Sequence, residues 1–225
     1  TARCWPAGPT MPPPAPAFFQ GAAAQPTRRR YRMLETIFSL GFSNPVHEAL
    51  LRPVLAHLET GREGSDSCRL DLRETADGVY LLQDGHPLGF CATNDGLAPM
   101  VQGNIGLLAL RRYPYLMALH AAGLATPDGA LLIAGSSGSG KTTLAAALLA
   151  SGWGYLSDDT ILLRPHTLDA VAVPYSLGIK ATAWTLLASR YPSLDRAAIH
   201  RRQDGKAIRY HSPPREHYAL PRTVR

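Results

Sequence analysis

The sequence predicts an α/β fold with a mixed sheet, preceded by a small β-rich α+β lobe, and three observations lead to it. The first is an apolar run, Leu131-Leu132-Ile133-Ala134, that leads into Gly135-Ser136-Ser137-Gly138-Ser139-Gly140-Lys141-Thr142 and then a helix-forming run at 144–149. The second is the early return to paired carboxylates in Gly154-Tyr155-Leu156-Ser157-Asp158-Asp159, one helix and one strand later. The third is a series of short apolar stretches broken by turn residues before position 95. These features divide the chain into a disordered Pro/Ala-rich tail (1–28), a small α+β lobe (29–96) and an α/β domain (97–225).

The bulk properties narrow the function. The chain has 225 residues, 45% of them apolar, which is enough for one domain with a substantial core and an appendage. Its formal net charge of +6 suits an anionic ligand such as a nucleotide, or an acidic protein or peptide. Nucleic acid is not implied, because the arginines are scattered and not interleaved with aromatics. The run Arg28-Arg29-Arg30-Tyr31-Arg32 reads as a solvated segment at the start of a domain. Cys4, Cys68 and Cys91 lie too far apart for a zinc site or a disulfide framework, which favours a reducing, cytoplasmic setting. No apolar run approaches the roughly 18 residues a membrane span needs, and the first residues lack a signal-peptide pattern.

Along the chain, apolar residues around 31–39 indicate a strand. Asn44-Pro45 opens a helix whose Val46, Leu50, Leu51, Val54, Leu55 and Leu58 recur at helical spacing, with Pro53 as a point of kinking. A polar loop at 61–67 precedes strands at 68–72 and 79–82, and Asp84-Gly85 turns the latter into 88–91. A helix is expected over 97–117 and one apolar strand over 119–126. Pro127-Asp128-Gly129 turns that strand back into 130–134. After the glycine stretch come a helix to about 151 capped by Gly152, strands at 154–157, 160–163 and 170–173, a loop or short strand to 180, a helix at 181–188 and a strand around Ile208 and Tyr210. No final element is evident beyond Pro213.

The glycine stretch is the strongest chemical signal. Gly-x-x-x-x-Gly-Lys-Thr between a strand and a helix is the setting a phosphate-binding loop requires. Gly135, Gly138 and Gly140 let successive N–H groups turn inward around a phosphate, with Ser136, Ser137, Ser139 and Thr143 completing the cradle. The helix opening at Lys141 directs its positive end to the same point. Lys141 can reach the β- and γ-phosphates, which makes it a catalytic as well as a binding residue, and the Thr142 hydroxyl can join a magnesium shell. ATP and Mg²⁺ are therefore the expected cofactors.

Simple lengths bring the carboxylates to the same place. A helix of about ten residues rises about 15 Å, and about five strand residues climb back about 17 Å. Asp158 and Asp159 thus return to the level of the phosphates. As neighbours on a strand they face opposite ways, so one can hold the metal while the other accepts a proton from an attacking hydroxyl. With the preceding turn centred on Asp128, His120 lies opposite Ser136, where an imidazole can contact a γ-phosphate or orient the attacking group.

These residues resemble the HPr serine kinase family. The matching features are the glycine loop, Gly152 after its helix, Leu156-Ser157-Asp158-Asp159, and Leu119-His120-Ala121-Ala122 ahead of the loop. Val173-Pro174-Tyr175-Ser176-Leu177-Gly178-Ile179-Lys180 and Asp204-Gly205-Lys206-Ala207-Ile208-Arg209-Tyr210 match more loosely. The resemblance covers about 100–212 and implies a phosphate-loop core shared with phosphoenolpyruvate carboxykinases. It also implies ATP-dependent phosphorylation of a serine side chain, with Asp158 and His120 catalytic and with Asp159 and Thr142 on the metal. Homo-oligomers are common in that family.

Two departures shape the expected substrate. Thr143 stands where HPr kinases commonly have Glu, and the chain stops at Arg225, ahead of the C-terminal helices of the two-way enzymes. The sequence is closer to the shortened HPr-kinase-related bacterial proteins, some encoded with ribosomally made peptides, and a protein or precursor-peptide hydroxyl is the expected acceptor. A small-molecule phosphotransferase and a non-catalytic nucleotide-binding module are the alternatives.

Overall fold

The computed structural model describes residues 27–61, 68–219 and 222–223. Most of the expected Pro/Ala-rich tail and nearly all of the expected polar loop at 61–67 fall outside those residues. The described chain is a mixed α/β protein with four α-helices and several sheets. Its described residues form two compact units, one drawn from within 1–112 and 200–205, the other from within 113–199 and 206–225. No helix among the described residues is long and apolar enough to cross a membrane.

The first unit is built on a five-stranded sheet in the order β1 to β5: β1 (Thr27–Met33), β2 (Thr36–Phe42), β3 (Cys68–Thr75), β4 (Gly78–Gln83) and β5 (His86–Cys91). The sheet is mixed, with β2 and β3 parallel and the other neighbours antiparallel. The single strand expected around 31–39 is a hairpin of two strands. Asp84 and Gly85 both adopt positive φ (50° and 85°), the turn that suits the twist of the β4–β5 hairpin.

The arginine run is not a solvated segment, because it forms β1 and is paired. Arg29 bridges Glu48 at 2.5 Å and Glu59 at 2.6 Å, and Arg28 pairs with Asp71. In α1 (Pro45–Leu55) the Asn44 side chain caps the helix by accepting from Val46 N at 2.8 Å, and Pro53 is accommodated in the last turn. Helix α2 (Leu97–Leu110) stops before the expected 117, where the Arg111 N–H bonds back to Leu107 O at 3.1 Å. It packs on α1 and β5 and lies in the first compact unit, which runs to Arg112.

The second unit carries the glycine loop. Its strands are β6 (Met117–Leu119), β7 (Ala121–Thr126), β8 (Gly129–Ala134), β9 (Gly154–Ser157), β10 (Ile161–Leu163), β11 (Asp169–Ala172) and β12 (Leu177–Lys180). Strand β13 (Ile199–Arg201) spans the division between the units, and β14 (Ala207–His211) and β15 (Arg222–Thr223) follow. Two helices, α3 (Lys141–Ala150) and α4 (Ala181–Leu187), complete it. One sheet has the order β8-β7-β9, another β15-β11-β10-β6, and β12 pairs with β14.

Strand β7 is antiparallel to both neighbours, so β8 and β9 run parallel with α3 as the crossover between them. The apolar run expected as one strand over 119–126 is thus two, β6 and β7, divided at His120 and assigned to different sheets. A final strand also exists: β15 pairs antiparallel with β11, with Asp169 across from Thr223.

Alternation along β7 and β9 separates two cores. Leu124 and Tyr155 pack with Ala145, Ala146, Leu149, Leu177, Ile179 and Leu187 on the helical side. Their neighbours Ala125 and Leu156 face Ile161 and Ala170 on the other. The β8-β7-β9 sheet is therefore apolar on both faces, and polar chemistry is confined to its ends. Leu124 is wholly buried, so Leu124→Ala is expected to cost about 3 kcal/mol. Urea unfolding followed by circular dichroism measures this, and a loss under about 1 kcal/mol would mean this core is loosely packed.

Candidate active site at the end of the sheet

The glycine loop leaves the end of β8, and its conformation follows from its residues. Gly138 and Gly140 take φ of 88° and 90°, angles that side-chain-bearing residues resist. A Cβ at Gly135 would come within 2.7 Å of Ser139 Oγ, so the loop closes tightly over that position. Ser139 N donates to Ser136 O at 3.2 Å within the turn. Helix α3 begins at Lys141, whose side chain folds back so that Nζ donates to Gly135 O at 2.8 Å and Ser136 O at 3.1 Å. Lys141 is buried, while 135–140 are exposed. Thr142 and Thr143 sit half-buried on the first turn of α3.

Strand registers bring the loop, His120 and the acidic pair to one end of this sheet. Ala134, the last residue of β8, pairs with Ala121, the first of β7. Leu119 faces Ile161 and Gly123 faces Ser157, so the Asp158-Asp159-Thr160 turn lies across from the joint at His120. The β7–β8 connection is the two residues Pro127-Asp128, with Thr126 facing Gly129. Continuing that register places Gly135 across from His120, one residue short of the expected Ser136. The charged neighbour of His120 is a carboxylate: Nδ1 lies 3.3 Å from Asp159 Oδ1.

The two aspartates diverge. Ser157 Oγ accepts from Thr160 N at 3.3 Å and Asp159 N at 3.4 Å, which turns the chain sharply after β9. Asp158 enters the interior and is 8% exposed, whereas the Asp159 side chain is 51% exposed. Asp158 Oδ2 accepts from Gly178 N at 3.2 Å, and its Oδ1 lies 3.4 Å from the Tyr155 hydroxyl. The proton of that hydroxyl goes to the nearer acceptor, Tyr175 O, at 2.9 Å. Burial, reinforced by the charge of Asp159, pushes the Asp158 carboxyl up to about 7, against the opposing pull of the Gly178 N–H and the Tyr155 hydroxyl. Burial, and then Asp158, raises the Tyr155 phenol well above its ordinary value.

Of the residues singled out in the sequence, His120 and Asp159 touch, Asp158 turns inward beside them, and the loop from Gly135 to Thr143 leaves the same end of the sheet. Tyr155, Tyr175 and Gly178 were not foreseen around Asp158. A tyrosine three residues before the acidic pair is a faint signal for the first, and a backbone donor such as Gly178 N leaves no mark in a sequence. Asp159 and the Thr142 hydroxyl offer a cation hard oxygen donors, and among the described residues no group of three or more His, Cys, Asp or Glu side chains surrounds them. A carboxylate and a hydroxyl are hard oxygen donors of the kind Mg²⁺ takes along with its waters. The chain matches no family model, no curated protein and no solved structure.

The raised Asp158 carboxyl fixes the sign of a pH effect. Its folded value near 7 lies above the ordinary 3.8. The stability tied to its proton is therefore full below 3.8 and is lost as pH rises through about 7, at up to about 1.4 kcal/mol per pH unit. Asp158→Asn is accordingly expected to raise the melting temperature more at about pH 8 than at about pH 5. Equal shifts at the two pH values would show that Asp158 is not a destabilised buried acid.

Proposed function

We propose that this chain is an ATP-dependent kinase that transfers the γ-phosphate to a serine- or threonine-type hydroxyl of a protein or peptide. Its core would be the phosphate-loop type shared by HPr-kinase-like enzymes and phosphoenolpyruvate carboxykinases. The observation that carries the reading is the convergence at one sheet end of a Lys-bearing glycine loop and a divergent carboxylate pair, one acid buried and one exposed.

Each residue has a part in the proposed reaction. The N–H groups of 135–140 and the start of α3 bind the phosphates. Lys141, which now rests on two loop carbonyls, exchanges them for phosphate oxygens. Thr142 and Asp159 would hold Mg²⁺, which when bound neutralises charge on the phosphates. His120 orients Asp159 through their contact.

Asp158 then takes the proton of the acceptor hydroxyl as that oxygen bonds to the γ-phosphorus. The bond from phosphorus to the β–γ bridging oxygen breaks, and its electron pair leaves on the nucleoside diphosphate. A base with a value near 7 is well matched to neutral pH, because it is substantially ionised yet retains affinity for the proton. The net charge of +6 favours an acidic peptide as acceptor.

The test is incubation with ATP, Mg²⁺ and a peptide library, read by the gain of phosphate mass. Asp158→Asn is expected to reduce transfer about 100-fold or more while nucleotide binding persists. Lys141→Met is expected to weaken nucleotide binding itself. Full transfer by Asp158→Asn would contradict the assigned base. Phosphorylation of metabolites alone would make the chain a small-molecule phosphotransferase, and binding without transfer would make it a nucleotide-binding module.

A further inference from the structure

Strands β6 and β7 run as one line interrupted at His120, and the two edges of that line are paired differently. On one edge the partner is continuous. Gly123 faces Ser157 and Leu119 faces Ile161, so one unbroken register carries the line past β9, the acidic turn and β10. On the other edge β8 pairs with β7 only as far as Ala134, opposite Ala121. There the chain leaves the sheet as the glycine loop, and among the described residues β6 has no strand partner besides β10. The lane that β8 fills beside β7 is thus open beside β6, and the glycine loop and His120 stand at its head.

The open edge has the chemistry of a site for extended chain. A strand bonded on one edge presents the N–H and C=O groups of alternate residues on the other, and such edges are ordinarily blunted by charged side chains. The run Tyr115-Leu116-Met117-Ala118-Leu119 carries no charge. Tyr115, Leu116 and Met117 are instead 39%, 59% and 49% exposed, three large apolar side chains in succession. Free backbone groups beside exposed apolar side chains are what a peptide uses to add itself to a sheet. At about 3.3 Å per residue, 115–119 offer an added strand a path of about 16 Å, ending at His120.

We propose that the acceptor peptide binds as an added strand on the free edge of β6, in line with β8, so that the residue at its His120 end meets the glycine loop. The acceptor is then an extended segment with apolar side chains flanking its hydroxyl, and a helical segment does not fit. Phosphorylation of that hydroxyl rests on the kinase reading, whereas strand addition to β6 does not.

The test exposes the full chain, with Mg²⁺ and a non-hydrolysable ATP analogue, to an array of short peptides that each contain a serine. Peptides that bind are remade with single backbone N-methyl groups. An added strand bonds through one of its edges, so N-methylation is expected to weaken binding about 10-fold or more at alternate positions and little between them. Met117→Asp, which places a charge beside the edge, is expected to weaken binding about 10-fold. Leu186→Asp, at an exposed apolar position on α4, should leave it unchanged.

An array with no bound peptide overturns the proposal, and so does binding indifferent to N-methylation or to Met117→Asp. An equal loss in Leu186→Asp shows general apolar adhesion and overturns it as well. A wild-type dimer that Met117→Asp dissociates assigns the edge to a second copy of the chain and has the same consequence. Peptides bound in the alternating pattern but never phosphorylated with ATP overturn the kinase reading and leave the added strand standing. Phosphorylated peptides without that pattern overturn the added strand and leave the kinase reading standing.

Discussion

At the centre of the second unit's polar chemistry is the buried Asp158 side chain. Through Gly178 N this one group ties the turn after β9 to β12, and the neighbouring Tyr155 hydroxyl repeats the tie through Tyr175 O. The arrangement is destabilising when Asp158 is ionised, since two polar contacts do not replace the hydration a carboxylate loses. A fold selected for stability alone would place an apolar residue or an amide there. A buried acid stands here directly before an exposed one.

The same economy is visible around the loop. Lys141 is a buried cation that satisfies two of its donors on Gly135 O and Ser136 O. A phosphate would offer those donors stronger, charged acceptors. The loop is thus held in shape by the residue that would engage the ligand. The Asp159–His120 contact keeps an exposed carboxylate oriented at the sheet end where the loop begins. The glycine loop, His120 and the acidic pair thus lie at one end of a three-stranded sheet with apolar faces on both sides.

Local signals made much of this legible from the sequence. The strand, glycine loop and α3 follow from hydrophobic runs and glycine chemistry, and Asn44-Pro45 and Asp84-Gly85 carry their own capping and turn signals. Strand alternation predicts that Asp158 and Asp159 diverge, but the pair lies just past β9, and the bend bonded to the Ser157 hydroxyl separates them. Tertiary choices were not legible. The apolar stretch that holds β6 and β7 reads as one strand, and only pairing with β10 on one side and β9 on the other splits it at His120. The arginines of β1 look solvated until Glu48, Glu59 and Asp71, distant in sequence, come to meet them. The short β15 is defined by its partner β11 and has no pattern of its own. The support of Asp158 by Gly178 is a backbone bond, which no residue type announces.

If the chain is a kinase, its glycine loop binds a nucleoside triphosphate with the terminal phosphate turned toward the acidic turn. A crystal structure with a non-hydrolysable ATP analogue and Mg²⁺ measures this most directly. In that structure Lys141 Nζ is expected to leave Gly135 O and Ser136 O for phosphate oxygens, the cation to sit on Thr142 and Asp159, and the γ-phosphate to lie on the side of Asp158. An analogue bound away from 135–142, or phosphates directed away from Asp158, would contradict it.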